Sequence, residues 1–503
     1  MTDTEAADHE IIVVGAGFAG IGVAIKLHQA GFTDYLILDD ADGAGGTWHW
    51  NTYPGVAVDI PSYSYQFSFE QRSNWSRSYA PGAELKAYAE HCVDKYQLRS
   101  RIRFGTIIVS AVFDEASTLW RLRTSTGEQL TATYLVGATG ALTRPKVPDI
   151  AGLPDFGGVI MHTARWNHDH TLRGTRVGII GTGASAVQVI PAIAPDVDTL
   201  TVFQRTPIWC LPKLDIAIPP TARLLLSRIP GSRSAARLAS QAFVEATFPI
   251  AAHYHTSLKM GVLGEKIGRA HLRRQVRDPI VRDHLTPRYG LGCKRPSFHN
   301  TYLATFNRAN VALETNPITH ISAHGIHTAD GATHNIDALI LATGFKVMES
   351  GNMPTFTLTG RRGVVLEDWW NTNRLQAYEG VTVPGFPNFF TIMGPYGYNG
   401  SSYFNLIEAQ STHILRCLKH ARNRRSQYVE VTREANDRYF AEMLSRQHRQ
   451  IFWQDSCATA RSYYFDKHGD VPLRPTTTLE AAWRSSRFNL DDYTFTGSTP
   501  NLV

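Results

Sequence analysis

The sequence predicts an α/β protein made of two β-α-β units, with a helical insertion in the second. Three observations carry this. An apolar run ends in a glycine-rich turn that opens a helical pattern, and this happens twice. Each unit closes on an apolar run ending in Ala-Thr-Gly. Between 221 and 288 the strand signals vanish and Ala, Leu and Arg take over.

In the first unit, residues 11–14 read as a strand followed by Gly15-Ala16-Gly17-Phe18-Ala19-Gly20. Ile21, Ala24, Ile25 and Leu27 then give one apolar helical face. Residues 35–38 read as the next strand, ending at Asp39. Residues 120–124 and 130–134 flank Ser125-Thr126-Gly127 as a hairpin, and 134–140 close the unit. The second unit repeats this grammar: strand 176–180, Gly181-Thr182-Gly183-Ala184-Ser185-Ala186, helix 188–194, strand 200–203 ending at Gln204-Arg205, and a closing run at 339–344. A helix at 407–419 belongs to chain that has returned to the first unit.

A glycine turn between strand and helix is the setting in which dinucleotides bind. The first glycine permits the turn, the second lets a pyrophosphate approach the backbone, and the third, or a small residue, allows close helix packing. The helix N-terminus adds free N–H groups and a positive dipole end. The units are therefore predicted to be two Rossmann-like dinucleotide-binding domains. Asp39 closes the second strand of the first, where a carboxylate accepts from ribose hydroxyls and repels a 2′-phosphate. Arg205 stands at the matched offset in the second, where a guanidinium suits a 2′-phosphate. One unphosphorylated dinucleotide and one NADPH on a chain suggest hydride transfer from NADPH to a flavin, hence FAD and NADPH as cofactors.

Composition excludes several other classes. The 503 residues carry a net charge of +6, too little to indicate a nucleic-acid partner. The surplus is local, since residues 221–295 hold 14 Lys/Arg against four Asp/Glu. Five scattered cysteines (Cys92, Cys210, Cys293, Cys417 and Cys457) form no Cys-x-x-Cys, so neither a disulfide framework, nor a zinc ribbon, nor a dithiol acceptor is expected. Oxygen is the remaining obvious electron acceptor. His162, His168 and His170 lack the partners of a metal site, and no metal is expected. A polar, acidic start and the lack of a long apolar run predict a cytoplasmic protein without membrane contact, as monomer or homodimer.

Three stretches narrow the reaction. The run 156–167, with Phe156, Gly158, His162 and Trp166, resembles the linker signature of the type I Baeyer–Villiger monooxygenases, class B flavin monooxygenases. Residues 45–55, containing Gly46, Thr47, Trp48, Asn51 and Tyr53 and continuing to Asp59 and Tyr65, are similar to that family's flavin-covering loop. Gly292-Cys293-Lys294-Arg295 is similar to its Lys-Arg pair. The resemblance implies a ketone substrate, with O₂ delivered through a C4a-peroxyflavin to give an ester or lactone. It implies Arg295 as the active-site arginine and Asp59 as its carboxylate partner. Lys294 joins Arg205 and Thr206 at the NADPH 2′-phosphate, and Gly181, Gly183, Ser185 and Gln188 hold the rest of that cofactor. His162 becomes a conformational linker. Two departures keep alternatives open. Asn167 replaces the family's Pro or Asp, and Ser462-Tyr463-Tyr464 stands where Ser-Trp-Tyr is common. One alternative is a heteroatom oxygenase acting on a sulfide or amine. The other is a flavin-bound regulatory protein with only futile NADPH oxidase activity. The expected division is 1–148 and 373–503 for the FAD-binding domain, 149–215 and 291–372 for the NADPH-binding domain, and 216–290 for the insertion.

Overall fold

The computed structural model describes residues 6–258, 261–347, 349, 351–460 and 462–496. Its largest sheet has eight strands, and its spine is parallel. His9–Val14 lies between Tyr35–Leu38 and Gln129–Gly137, and Phe389–Thr391 pairs with Gln129–Gly137 from the C-terminal half. The central stretches 11–14, 35–38 and 134–136 are apolar without a break because both faces are covered there. Ile11, Val13, Ile37 and Val136 pack on the side of the helix Phe18–Gln29, and Ile12, Leu38 and Leu135 on the other. The predicted hairpin is present as Leu119–Thr124 against Gln129–Gly137.

The second sheet has five parallel strands, including Arg176–Ile180, Thr199–Phe203 and Ala338–Leu341. Its edge strand, Val159–His162, carries part of the stretch expected to be a linker. The two chain crossings between the sheets run side by side. Lys146 N–H donates to Gly344 O at 2.8 Å, and Lys346 N–H donates to Arg144 O at 3.1 Å. The chain returns to the first sheet earlier than expected: Thr357–Thr359 pairs with Ile108–Asp114, so the boundary at 372/373 is corrected to one before 357. Three residues with one buried Leu358 leave too short a pattern to read from sequence.

The described part of the insertion is a series of helices, the first Pro220–Arg228 and the last Pro279–His284. Its arginines do not all face the second unit. Arg237 donates to Gln66 O at 2.9 Å and to Asn405 Oδ1 at 3.0 Å, both in the first. The C-terminal helix Tyr403–Arg424 contains the expected 407–419 and lies against Phe18–Gln29.

Candidate functional site

The two glycine turns have matching geometry. Gly15 (φ +116°) and Gly181 (φ +118°) both adopt conformations that favour glycine. A side chain on either would meet a backbone carbonyl at 2.5 or 2.4 Å, that of Ala138 or of Ala342. Those alanines begin the two Ala-Thr-Gly runs, which explains why each unit closes in the same way. Neither helix that follows, Phe18–Gln29 or Ala184–Ile193, has a side-chain cap, so N–H groups at both starts are open to a phosphate.

A cavity of about 2080 Å³ is lined from both units. That is well above the roughly 300–1,000 Å³ typical of a site for one drug-sized ligand. From the first unit come Thr47, Trp48, Asn51, Tyr53, Asp59 and Tyr65. From the second come Gly181, Gly183, Ser185, Gln188, Arg205, Thr206, Lys294 and Arg295. Gly183 offers open space, since a Cβ there would meet nothing within 4 Å. Arg205 is exposed, and Thr206 O accepts from Thr182 Oγ1 at 2.9 Å. Lys294 Nζ sits 5.5 Å from the Tyr289 ring centre. This half therefore offers an open glycine turn and exposed positive charge at Arg205.

Gly15, Gly17, Gly20 and Asp39 lie off the cavity wall. Gly17 faces Gly46, where a Cβ would come within 2.9 Å of the Gly17 Cα, so the two loops form a cradle that only glycine permits. Asp39, the residue assigned to ribose hydroxyls, follows the strand Tyr35–Leu38 directly. Its carboxylate accepts from Ala16 N–H and, at 2.8 Å, from Ala41 N–H, fixing the glycine turn. Burial raises its pKa to about 6 against the pull of those two N–H groups.

The loop after Gly46 supplies part of the first unit's wall of the cavity. Trp48 Nε1 donates to Tyr65 Oη at 3.2 Å, and Asn51 Nδ2 to Thr47 O at 2.8 Å. Tyr53 Oη donates to Gln188 Oε1 at 2.9 Å, and Gln188 Nε2 donates to Ala57 O at 2.9 Å. Gln188 and Tyr53 thus tie the second unit's helix to the first unit's loop. Burial pushes the Tyr53 hydroxyl up to about 12, so it remains a donor at neutral pH.

Asp59 and Arg295, 236 residues apart, meet in the cavity: Nε lies 2.9 Å and Nη2 2.8 Å from the same carboxylate oxygen. Asp59 holds the guanidinium well above its ordinary value despite burial, with Tyr398, Tyr464 and Tyr463 as further surroundings. The site therefore presents a permanent cation oriented by a carboxylate within an aromatic wall. Such a group stabilises negative charge developing on a reacting oxygen, and the wall reduces access for water.

Of the linker stretch, Phe156 joins a core cluster with Phe203 and Ile321. Gly158 is obligatory, since a Cβ would meet Asp337 O at 2.3 Å. His162 ends the edge strand. Its Nδ1 accepts from Ala164 N–H at 3.0 Å, and burial lowers its pKa, so it is a neutral ring rather than an acid. Trp166 packs on the second core.

Sequence reasoning missed two features. Cys293 and Cys457 form a disulfide, which corrects the expectation of unpaired cysteines. It tethers the residue before Lys294 to the segment leading to Tyr463 and Tyr464. A separation of 164 residues and no Cys-x-x-Cys left nothing in the spacing to signal it. The insertion also reaches the cavity through Phe248, which lies in a π-helical turn, Ala246–Ile250, and is wedged over Gly400. Among the described residues no cluster of metal-ligating side chains occurs. No described helix is long and apolar enough to cross a membrane.

Residues 12–223 match the pyridine nucleotide-disulphide oxidoreductase family. A Baeyer–Villiger monooxygenase of Streptomyces coelicolor is 35% identical, covering 99% of this chain and 96% of its own. The chain belongs to the Baeyer–Villiger monooxygenase family. Among solved structures, an OTEMO complex with FAD and NADP superposes with a TM-score of 0.86 at 26% identity, covering 98% of this chain and 100% of that one. A phenazine N-monooxygenase of Lysobacter antibioticus is 34% identical over 88% of each chain.

Proposed function

We propose that this chain is an NADPH- and O₂-dependent FAD monooxygenase that converts a ketone to an ester or lactone. The observation that carries this is the Arg295–Asp59 pair, which joins the two units inside the shared cavity. When bound, FAD together with NADPH would supply the activated oxygen. The chain's own residues do the rest. The N-termini of Phe18–Gln29 and Ala184–Ile193 hold phosphates, Asp39 fixes the first turn, and Arg205 with Lys294 selects the 2′-phosphate. Arg295 neutralises negative charge as oxygen attacks the carbonyl carbon, and Asp59 fixes its direction. Tyr53–Gln188 holds the two cofactor sites in register. The enzyme works in the cytoplasm as a monomer or homodimer.

A second reading, oxygen transfer to nitrogen or sulfur, is favoured by Asn167 and by likeness to the phenazine N-monooxygenase. One experiment separates the two: NADPH-dependent turnover of a ketone, sulfide and amine panel, with products identified by mass spectrometry. Esters from ketones with negligible N-oxide and sulfoxide are expected. Heteroatom products without ester would replace the first reading by the second.

A further inference from the structure

Lys213 is a buried cation that the reaction outlined above does not use. It is 9% exposed, and its Nζ donates to Val58 O at 3.0 Å and sits 4.7 Å from the Tyr79 ring centre. A buried ammonium is unfavourable unless its surroundings draw on its charge. Here the surroundings lead to Asp59. The Val58 carbonyl belongs to the peptide that precedes Asp59, and Val58 N–H is held by Ala80 O at 3.0 Å. On the other side, Cys210–Leu211 pairs in parallel with Ser297–Phe298, two residues beyond Arg295. Asn300 then grips the Lys213 backbone twice: Oδ1 accepts from Lys213 N–H at 2.9 Å, and Nδ2 donates to Lys213 O at 2.9 Å. The contacts close a ring that runs from Arg295 through Ser297, Cys210, Lys213 and Val58 to Asp59 and back.

The charged and titratable groups facing Lys213 are Asp215, Asp59, Arg77, His299 and Tyr79, whose hydroxyl burial keeps protonated. Asp215 is engaged by Arg77, whose Nε lies 3.0 Å from Oδ1. His299 is neutral, because burial and then Lys213 lower it to about 4, and its Nδ1 accepts from Tyr302 N–H at 3.0 Å. Lys213 thus faces two carboxylates, each held from its other side by an arginine: Asp215 by Arg77 and Asp59 by Arg295.

We infer that Lys213 is a positioning residue for oxygen transfer: it fixes the Asp59 peptide and places a second positive charge behind that carboxylate, so that Arg295 keeps its aim while cofactor and substrate exchange. This rests on the monooxygenase reading. A loose Arg295 lets reduced, oxygen-charged enzyme release H₂O₂ instead of product, so the readout is coupling, the ratio of product formed to NADPH consumed.

The test compares holoenzymes of wild type, Lys213→Met and Lys213→Arg, each with its FAD content measured by absorbance. Lys213→Met should lower the product-to-H₂O₂ ratio roughly tenfold, with KM for NADPH little changed, and Lys213→Arg should restore most of it. That ratio does not depend on how much enzyme is folded, so a purely structural role would lower yield and Tm without moving it. Unchanged coupling in Lys213→Met, or equal uncoupling in both variants, would overturn the inference. Should Lys213→Met not fold, pH provides the second arm. Burial lowers the ammonium's pKa, so wild type should uncouple on the alkaline side while Lys213→Arg stays coupled. Identical alkaline limbs would overturn the inference. Wild type that turns over no substrate in the panel would instead overturn the monooxygenase reading.

Discussion

Arg295→Ala removes the cation paired with Asp59 where oxygen transfer is proposed. At an effective dielectric of 20 and a charge separation of about 4 Å, its attraction to Asp59 is on the order of 4 kcal/mol before desolvation. Both side chains keep somewhat over a quarter of their exposure, so the net loss of folding stability should be about 1–3 kcal/mol. Catalysis should suffer more. Removing one donor aimed at a developing oxyanion typically lowers kcat by about 10²–10³, or roughly 3–4 kcal/mol. Arg295→Ala should therefore still bind FAD, because the first glycine turn and Asp39 are remote from it, yet lose ester formation by at least about a hundredfold. The assay is product quantification by mass spectrometry on protein of matched flavin content, with NADPH consumption followed in parallel. Continued NADPH oxidation with H₂O₂ as the product is the expected pattern. Ester yield within several-fold of wild type would refute the role assigned to Arg295.

Other perturbations test separate parts. Arg205→Ala should raise KM for NADPH and leave that for NADH nearly unchanged, shrinking the preference by roughly 10–100-fold; an unchanged preference would show that the 2′-phosphate is read elsewhere. Gly20→Ala should not give folded, yellow protein, because the added Cβ would lie 1.8 Å from Gly15 O, whereas Gly183→Ala should fold normally and weaken only NADPH binding, as its Cβ points into open space. Asp39, with its folded pKa raised to about 6, binds a proton more readily than in the unfolded chain, so its contribution to stability falls as pH rises from about 4 to about 6. Denaturant unfolding of FAD-saturated protein should show that decline lessened in Asp39→Asn, by at most about 3 kcal/mol; parallel pH curves would contradict the assignment. Cys457→Ser should lower thermal stability by about 2–5 kcal/mol, since the bond closes a loop of 164 residues, and non-reducing peptide mapping of wild type should recover the Cys293–Cys457 pair.

Much of the flavin and NADPH architecture was legible because it is local. Gly15 and Gly181 need their conformations within a few residues of a strand end, and the apolar runs around them are continuous because their sheets are covered on both faces. The linker stretch was legible as a pattern but not as an edge strand, since Val159–His162 is defined by its partner Ala338–Leu341, far along the chain. Asp39 was placed correctly at the strand end, but its bond to Ala16 N–H depends on how the turn curls.

The sequence by itself determined that two dinucleotide units follow one another, because strand, turn and helix signals repeat at short range and the charges at positions 39 and 205 differ in sign. The meeting of Arg295 with Asp59, Tyr53 with Gln188, Cys293 with Cys457 and Lys213 with Val58 was decided by the tertiary structure. Each joins residues more than a hundred positions apart, and the energy that selects such a pair comes from burial and charge around both ends, which exist only after the two units and the insertion have packed.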